Sequence, residues 1–521
     1  MNYLHKLTEI VTQHIAGQFE FFTKGNLRQK NKLNTLFHAI ASQQVRSDAE
    51  AERLIYGRNE GSSRYKMLKS RLTDKLENTL LTLDATQLKD YARFSYQCHR
   101  ALFFCRLLTY FEAFPSAEKL LRKTLRQAQH AQIYEVIYEV ARLLRYIYAH
   151  QGNETLLDRY HQIAAEASQV LSAEERSMEL YQRTIPRMVR SVSYSPEMTA
   201  MFRTYADELK PLHQKYPTYR LTTNYLMLET AYYTATFQYE KLLEIQQARE
   251  DFLNKYPHFI SEGLMLNILL TRASAYSSLK QYDLAEKAIN RSIHYVRDGT
   301  YNYFVLQRIY LSLTAEAGQY DRFNKLVRLV VRHPQFRQQS LTLRKNFMVY
   351  AAYGYYLELI GKTSSPPPAA NARPRQRESF INEIPQHHKD KAGYNVALLI
   401  VQLLSLLEKG DLDAVDDKIN TLALYRGRYL RRPENRRSQL FVRMLEVMIR
   451  EGFNPKNTRQ KTDRYVRQLK ELRNYLDVAN QNAAEIIPYE KLWEIVLERL
   501  QHNQTDILFR RQQFAQGVTV R

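Results

Sequence analysis

Apolar residues along this chain recur three and four positions apart, and alternating runs of Val, Ile and Thr are missing, so the pattern predicts helices nearly throughout. Leu33, Leu36, Phe37 and Ile40 mark one apolar helix face near the start. A second helix opens on a capping box, Ser47 answered by Glu50, and closes at Gly57. A third, over 64–83, carries its buried stripe on Tyr65, Leu68, Leu72, Leu76 and Leu80. These three helices predict a unit over 26–83, inside an N-terminal region of 1–90. Fifteen Gly and fifteen Pro are few for 521 residues, which supports the all-helical reading.

Residues 264–334 hold two helical hairpins. The first contains L-L-T-R-A-S-A-Y-S-S-L-K-Q-Y-D-L-A-E-K-A-I-N-R-S-I, and the second ends in A-G-Q-Y-D-R-F-N-K-L-V. Ala273, Tyr276, Tyr282, Ala285, Ile289 and Ser292 occupy the crossing, turn and second-helix positions. This stretch resembles the tetratricopeptide repeat, a helix–turn–helix unit of about 34 residues. The resemblance implies an all-α, TPR-like α-solenoid of antiparallel hairpins over 91–361, capped by the N-terminal three-helix unit. Less regular hairpins flank it, around Phe114 and Ala117, around Tyr148 and Gly152, and around Tyr233 and Tyr239 with Leu242 in the place of the small residue. Turn aromatics Tyr239, Tyr282 and Tyr320 lie 43 and 38 residues apart, both longer than the family's period. Between 170 and 220, Pro186, Pro196 and Pro211 predict helix breaks.

A Pro-rich segment, 362–378, predicts a flexible linker. Beyond it, 379–508 reads as further helical hairpins, including one over 395–425 that turns at Gly410 and Asp411. Trp493 and Leu497 are expected to seal the last helix pair, and 509–521 to fray.

Charge adds a second picture. The formal net charge is +22, which favours acidic partners or nucleic acid and equally suits a solvated basic surface. Two places concentrate it. The third helix carries Arg64, Lys66, Lys69, Arg71 and Lys75, a layout compatible with a helix-turn-helix reading a major groove or with a capping bundle. Residues 426–473 hold 15 Lys and Arg against 5 Asp and Glu, with Arg464, Arg467, Lys470 and Arg473 spread around one helix. These nine cations are the candidate nucleic-acid or acidic-partner contacts.

The sequence has no phosphate-binding loop, dinucleotide fingerprint, H-E-x-x-H or nucleophile elbow. Arg328 and His333 match a spacing found in some all-helical ribonucleases, a match that chance readily supplies. His387, His388 and Asp390 lack a fourth metal ligand. Cys98 and Cys105, seven apart on one helix, lie beyond disulfide reach. The expectation is a protein without catalysis, cofactor or metal. Nor is a membrane partner expected. The first residues, M-N-Y-L-H-K-L-T-E-I-V, lack the apolar core of a signal peptide, and the most apolar run, 396–407, is too short to span a bilayer. A cytoplasmic location follows as an expectation.

The resemblance also implies a concave groove that binds another protein or a peptide segment. The positions it assigns to that groove include Asn224, Met227, Asn267, Leu270, Ser274, Ser277, Arg308 and Ser312, with Asn224, Asn267 and Arg308 as polar contacts. The Lys and second Asn of a carboxylate clamp are missing, so a broad, small-residue-lined groove is the expected form. The alternative is a nucleic-acid-binding transcriptional regulator, its N-terminal unit reading DNA and its repeats sensing.

Overall fold

The computed structural model describes residues 1–14, 32–57, 62–81, 88, 90–190, 194–364, 393–431, 435–472 and 484–502. Among these the protein is all-α, with no strand. Two compact units divide it, Met1–Gln169 and Val170–Arg521. The expected boundary at 90/91 falls inside the first unit. The Pro-rich run, the His387–Asp390 cluster and the 509–521 tail lie outside the described residues, as do Arg473 and all of 362–378 beyond Ser364.

In the first unit, α1 (Asn2–His14) packs with α2 (Lys32–Ala41) and α4 (Ser63–Leu81), and α3 (Asp48–Tyr56) packs on α2. The capping box forms as read. Ser47 Oγ accepts from Glu50 N at 3.3 Å, Glu50 Oε2 accepts from Arg46 N at 2.6 Å, and Gly57 ends α3 at φ 73°. Among the described residues the bundle has four helices where three were expected, because Leu4, Leu7 and Val11 of α1 fill the core against Leu36, Phe37, Leu72 and Leu76. Next come α5 (Asp90–Tyr110), α6 (Phe114–His130) and α7 (Tyr134–His150), each packed on its neighbour around buried Cys98, Cys105, Leu121 and Leu144. Both cysteines are free thiols, and burial pushes each up to about 11.

The helix α8 (Glu154–Arg190) runs for 37 residues straight through Pro186. In the second unit, α9 (Pro196–Lys215) starts on Pro196 with Ser195 as its cap and continues past Pro211. Breaks at Pro186 and Pro211 are therefore corrected. Both prolines sit within the last turn or two of their helices, where each removes a single N–H donor and little helix remains to be disrupted. The helices α10 (Tyr219–Ala235), α11 (Tyr239–Lys255), α12 (Glu262–Ser278), α13 (Tyr282–Ser292), α14 (Tyr301–Ala317), α15 (Tyr320–Val331) and α16 (Leu341–Leu359) then pack mainly on the helix before and the helix after.

One turn recurs between helices. A single residue in the left-handed region precedes a residue whose N–H reaches back five positions to a carbonyl, the Schellman closure. It occurs at Glu112, Gln132, Gly152, Phe237, Lys280, Gly318, Gly361 and Gly410. The bond from Gln281 N to Tyr276 O is 2.8 Å, and that from Gln319 N to Thr314 O is 2.9 Å. Local geometry thus repeats where the residue types do not.

The largest core belongs to the second unit's C-terminal half, where α17 (Tyr394–Lys409), α18 (Leu412–Tyr429), α19 (Arg436–Arg450) and α20 (Pro455–Glu471) join α14–α16. The run 396–407 is buried there, apart from half-buried Leu406. The final helix, α21 (Tyr489–His502), does more than seal a last pair. Tyr489 stacks on Phe441 of α19 at 4.3 Å, Lys491 donates to the Glu316 carbonyl of α14, and Arg499 pairs with Glu408 of α17.

Candidate functional site

The positions assigned to a groove are largely closed by the protein's own side chains. Asn224, Leu270, Ser274, Ser277 and Arg308 are buried, and Met227, Asn267 and Ser312 half-buried. Asn224 Nδ2 donates to Ser177 Oγ at 3.0 Å, Asn267 Oδ1 accepts from Arg249 Nη1 at 3.0 Å, and Ser312 Oγ lies 3.2 Å from Tyr350 OH. Leu270 belongs to a core shared with Ile289 and Ile309. Small side chains on these helices let neighbouring helices close upon one another, so smallness here serves packing.

Polar pairs link these helices and, further along the chain, α19 and α21. Arg272 of α12 pairs with Glu250 of α11, which also holds Arg291 of α13 at 2.7 Å. Further along, Ser277 Oγ donates to Glu316 Oε2. Arg437 of α19 donates from Nη2 to Glu485 Oε1 and to Glu490 Oε2, each at 2.7 Å. Burial works against the Arg437 charge, but hydrogen bonds and attraction from Glu485 and Glu490 hold it firmly protonated. Burial raises Glu485 even against that pairing. Such pairs tie neighbouring helices together. His333, paired by spacing with Arg328, caps the short helical turn Pro334–Gln338 through Nδ1 and faces Asp298 at 3.2 Å. Among the described residues no group of three His, Cys, Asp or Glu could hold a metal, and no helix is long and apolar enough to cross a membrane.

The basic sets are partly engaged at home. Lys69 holds Asp48 at 2.8 Å, Arg464 lies over its neighbour Tyr465 at 4.6 Å, and Arg467 donates to Asp463 at 3.1 Å. Arg64, Lys66, Arg71 and Lys470 are exposed, and Lys75 is half-buried. Arg473 lies outside the described residues.

The surface that stands out is one that periodicity alone conceals. The last turns of α5 and the residue just after it bury Leu102 and Cys105 inward, yet also present Phe103, Phe104, Leu107, Tyr110 and Phe111 outward. Tyr110 is 80% exposed, Phe111 72% and Phe103 58%. Positions 103/104, 107 and 110/111 fall on one helix face, three to four residues apart. Phe103 and Phe104 meet edge to face at 6.0 Å, as do Tyr110 and Phe111 at 5.3 Å. Arg100 reaches over Phe104 at the edge of the stripe, and Arg106 lies on the same helix. A helix apolar on two faces while packed on one is a signal for a partner. The run F-F-C-R-L-L-T-Y-F carried that signal in sequence, as an apolar count too high for one buried stripe.

No protein-family model, curated protein or solved structure matches this chain.

Proposed function

We propose that the protein is a non-catalytic binding scaffold, a TPR-like α-solenoid that docks another protein on the exposed aromatic face of α5. The observation that carries this reading is the row Phe103, Phe104, Leu107, Tyr110 and Phe111, left outside while the opposite face of the same helix fills a core. Sequential helix packing and the recurring Schellman turn support the repeat architecture. Large aromatics on a rigid helix make strong interface anchors, since they offer much apolar area for little lost side-chain freedom. Residues 90–130 carry seven Lys and Arg against three Asp and Glu, so the partner is an amphipathic segment, apolar along one face and bordered by Asp and Glu. The positions first assigned to a groove act within the fold and hold the helices in register.

A photo-crosslinking residue at Leu107 tests this in cells. The captured partner is purified and its affinity measured for the unaltered chain and for Tyr110→Asp with Phe111→Asp. The expected loss is about a hundredfold, from two interface anchors each contributing more than ~1 kcal/mol, with the thermal unfolding curve unchanged. Equal affinity for both forms would reject the α5 face as the docking surface.

A further inference from the structure

The helix α20 meets the fold along a narrow side. Asn454 caps it, its Oδ1 accepting from Asn457 N at 3.0 Å, and Pro455 opens its first turn. Thr458, Thr462 and Leu469 are buried, and Thr462 donates its hydroxyl back to the Thr458 carbonyl at 2.7 Å. The remaining surface is basic: the helix holds six Lys and Arg against only Asp463 and Glu471. Every exposed residue of α20 is polar or charged, since Tyr465 and Val466 are half-buried.

Lys456, Arg459, Asp463, Arg467 and Lys470 follow one another in steps of three and four, which sets them on one face. Asp463 pairs with Arg467, so the row keeps three cations in excess. Lys456, Arg459 and Lys470 have no carboxylate partner among the described residues. Nor does Lys456 help the helix itself: it lies in the first turn, where the dipole disfavours a cation and no acid stands to offset it. From Lys456 to Lys470 the row runs about 21 Å, too far for one phosphate or carboxylate group to span. A protein partner draws its affinity from apolar anchors, and this face offers none. A nucleic-acid backbone repeats its negative charge along such a length, and Lys and Arg meet its phosphates without apolar contact.

We infer that the outer face of α20 binds the phosphate backbone of a nucleic-acid duplex through Lys456, Arg459, Arg467 and Lys470, without reading base sequence. The duplex supplies the counter-charge that the fold leaves out. This surface takes a ligand of its own and does not depend on the α5 face.

The probes are fluorescent duplexes of about 20 base pairs, one DNA and one RNA, bound to the full chain at salt between about 50 and 200 mM. The row's three excess charges account for a fall in affinity of about fortyfold across that range. Lys456→Gln with Arg459→Gln and Lys470→Gln removes this part of the salt dependence and weakens binding at the lower salt roughly tenfold or more. The control removes three exposed cations from other helices of the same unit, Lys210→Gln with Lys287→Gln and Lys325→Gln, and keeps both affinity and salt dependence. Binding of either duplex supports the inference, and the tighter one identifies the nucleic acid. No binding of either duplex, an unchanged salt dependence in the α20 variant, or equal losses in the two variants overturns it. So does displacement by polyglutamate of matched charge as readily as by unlabelled duplex, which would make the partner an acidic polypeptide. Should the triple variant not fold, Arg459→Gln and Lys470→Gln made singly decide, each taking about one unit from the slope of log affinity against log salt.

Discussion

Ser277 Oγ donates to Glu316 Oε2 across 2.6 Å and ties α12 to the end of α14. Burial pushes the Glu316 carboxyl up to about 7, nearby Glu485 adds to the rise, and the Ser277 hydroxyl, Lys491 and Arg437 oppose it. The folded carboxyl thus holds a proton that the unfolded chain releases at its ordinary value of 4.5. Between these two values the native state binds more protons than the unfolded state, so stability falls as pH rises through that window. Glu316→Gln removes the titration. Its stability should match the parent near the bottom of the window and exceed it above, by on the order of 2 kcal/mol. Urea unfolding across the window checks this, and parallel curves for the two proteins would refute it.

Helix faces and caps were legible in the sequence because they depend on residues three or four positions apart. Ser47, Glu50 and Gly57 bracket α3 as read, and the Gly410–Asp411 turn joins α17 to α18, Asp411 capping Ala414 N at 3.2 Å. The candidate site was less legible, for two reasons. Burial of Asn224, Ser277 and Arg308 depends on neighbours such as Ser177 and Glu316, 47 and 39 residues away from the first two. The α5 face was hidden because Phe103 and Phe104 satisfy a helical period as well as Leu102 and Cys105 do, and spacing cannot say which face a fold will cover.

The recurring turn places Lys280 at φ 60° and Gly318 at φ 77° in equivalent closures. A side chain in the left-handed region strains the backbone, and glycine relieves that strain at some cost in unfolded-state entropy. Lys280→Gly should stabilise the chain by about 0.5–1 kcal/mol, and Gly318→Ala should cost about 1 kcal/mol. A methyl at Gly318 would meet only Lys491 Nζ, at an ordinary 3.9 Å, so backbone conformation alone sets the sign. Paired denaturant midpoints test both; a destabilised Lys280→Gly would show that the lysine has a role beyond the turn.

Gly354 of α16 faces Asn324 of α15, whose Nδ2 donates to the Gly354 carbonyl at 3.1 Å. A Cβ at 354 would stand 2.2 Å from Asn324 Oδ1, an impossible separation. Gly354→Ala should therefore cost about 2 kcal/mol through displacement of a buried amide. In an Asn324→Ala background the obstacle is gone, and the same change should be neutral or slightly favourable through helix propensity. A double-mutant cycle measures the coupling. Simple additivity would mean that the two helices already have room to part.

Arg437 binds the start of α19 to the end of α20 and the start of α21. Besides Glu485 and Glu490, its Nη1 donates to the carbonyls of Leu469 at 2.5 Å and Leu472 at 2.6 Å. Arg437→Met removes the fork and strands the Glu485 carboxylate in the core, a loss of about 3–5 kcal/mol. Arg437→Lys keeps the charge but cannot reach both carboxylates and both carbonyls, so it should fall between. Adding Glu485→Gln to Arg437→Met takes away the stranded charge and should recover part of the loss. Lowering the pH should do the same for Arg437→Met alone, because Glu485, already raised by burial, then takes up a proton. Urea unfolding of the three variants at neutral and mildly acidic pH separates these effects. If Glu485→Gln failed to improve Arg437→Met at neutral pH, the penalty would lie in the lost carbonyl bonds, and the carboxylate would be exonerated.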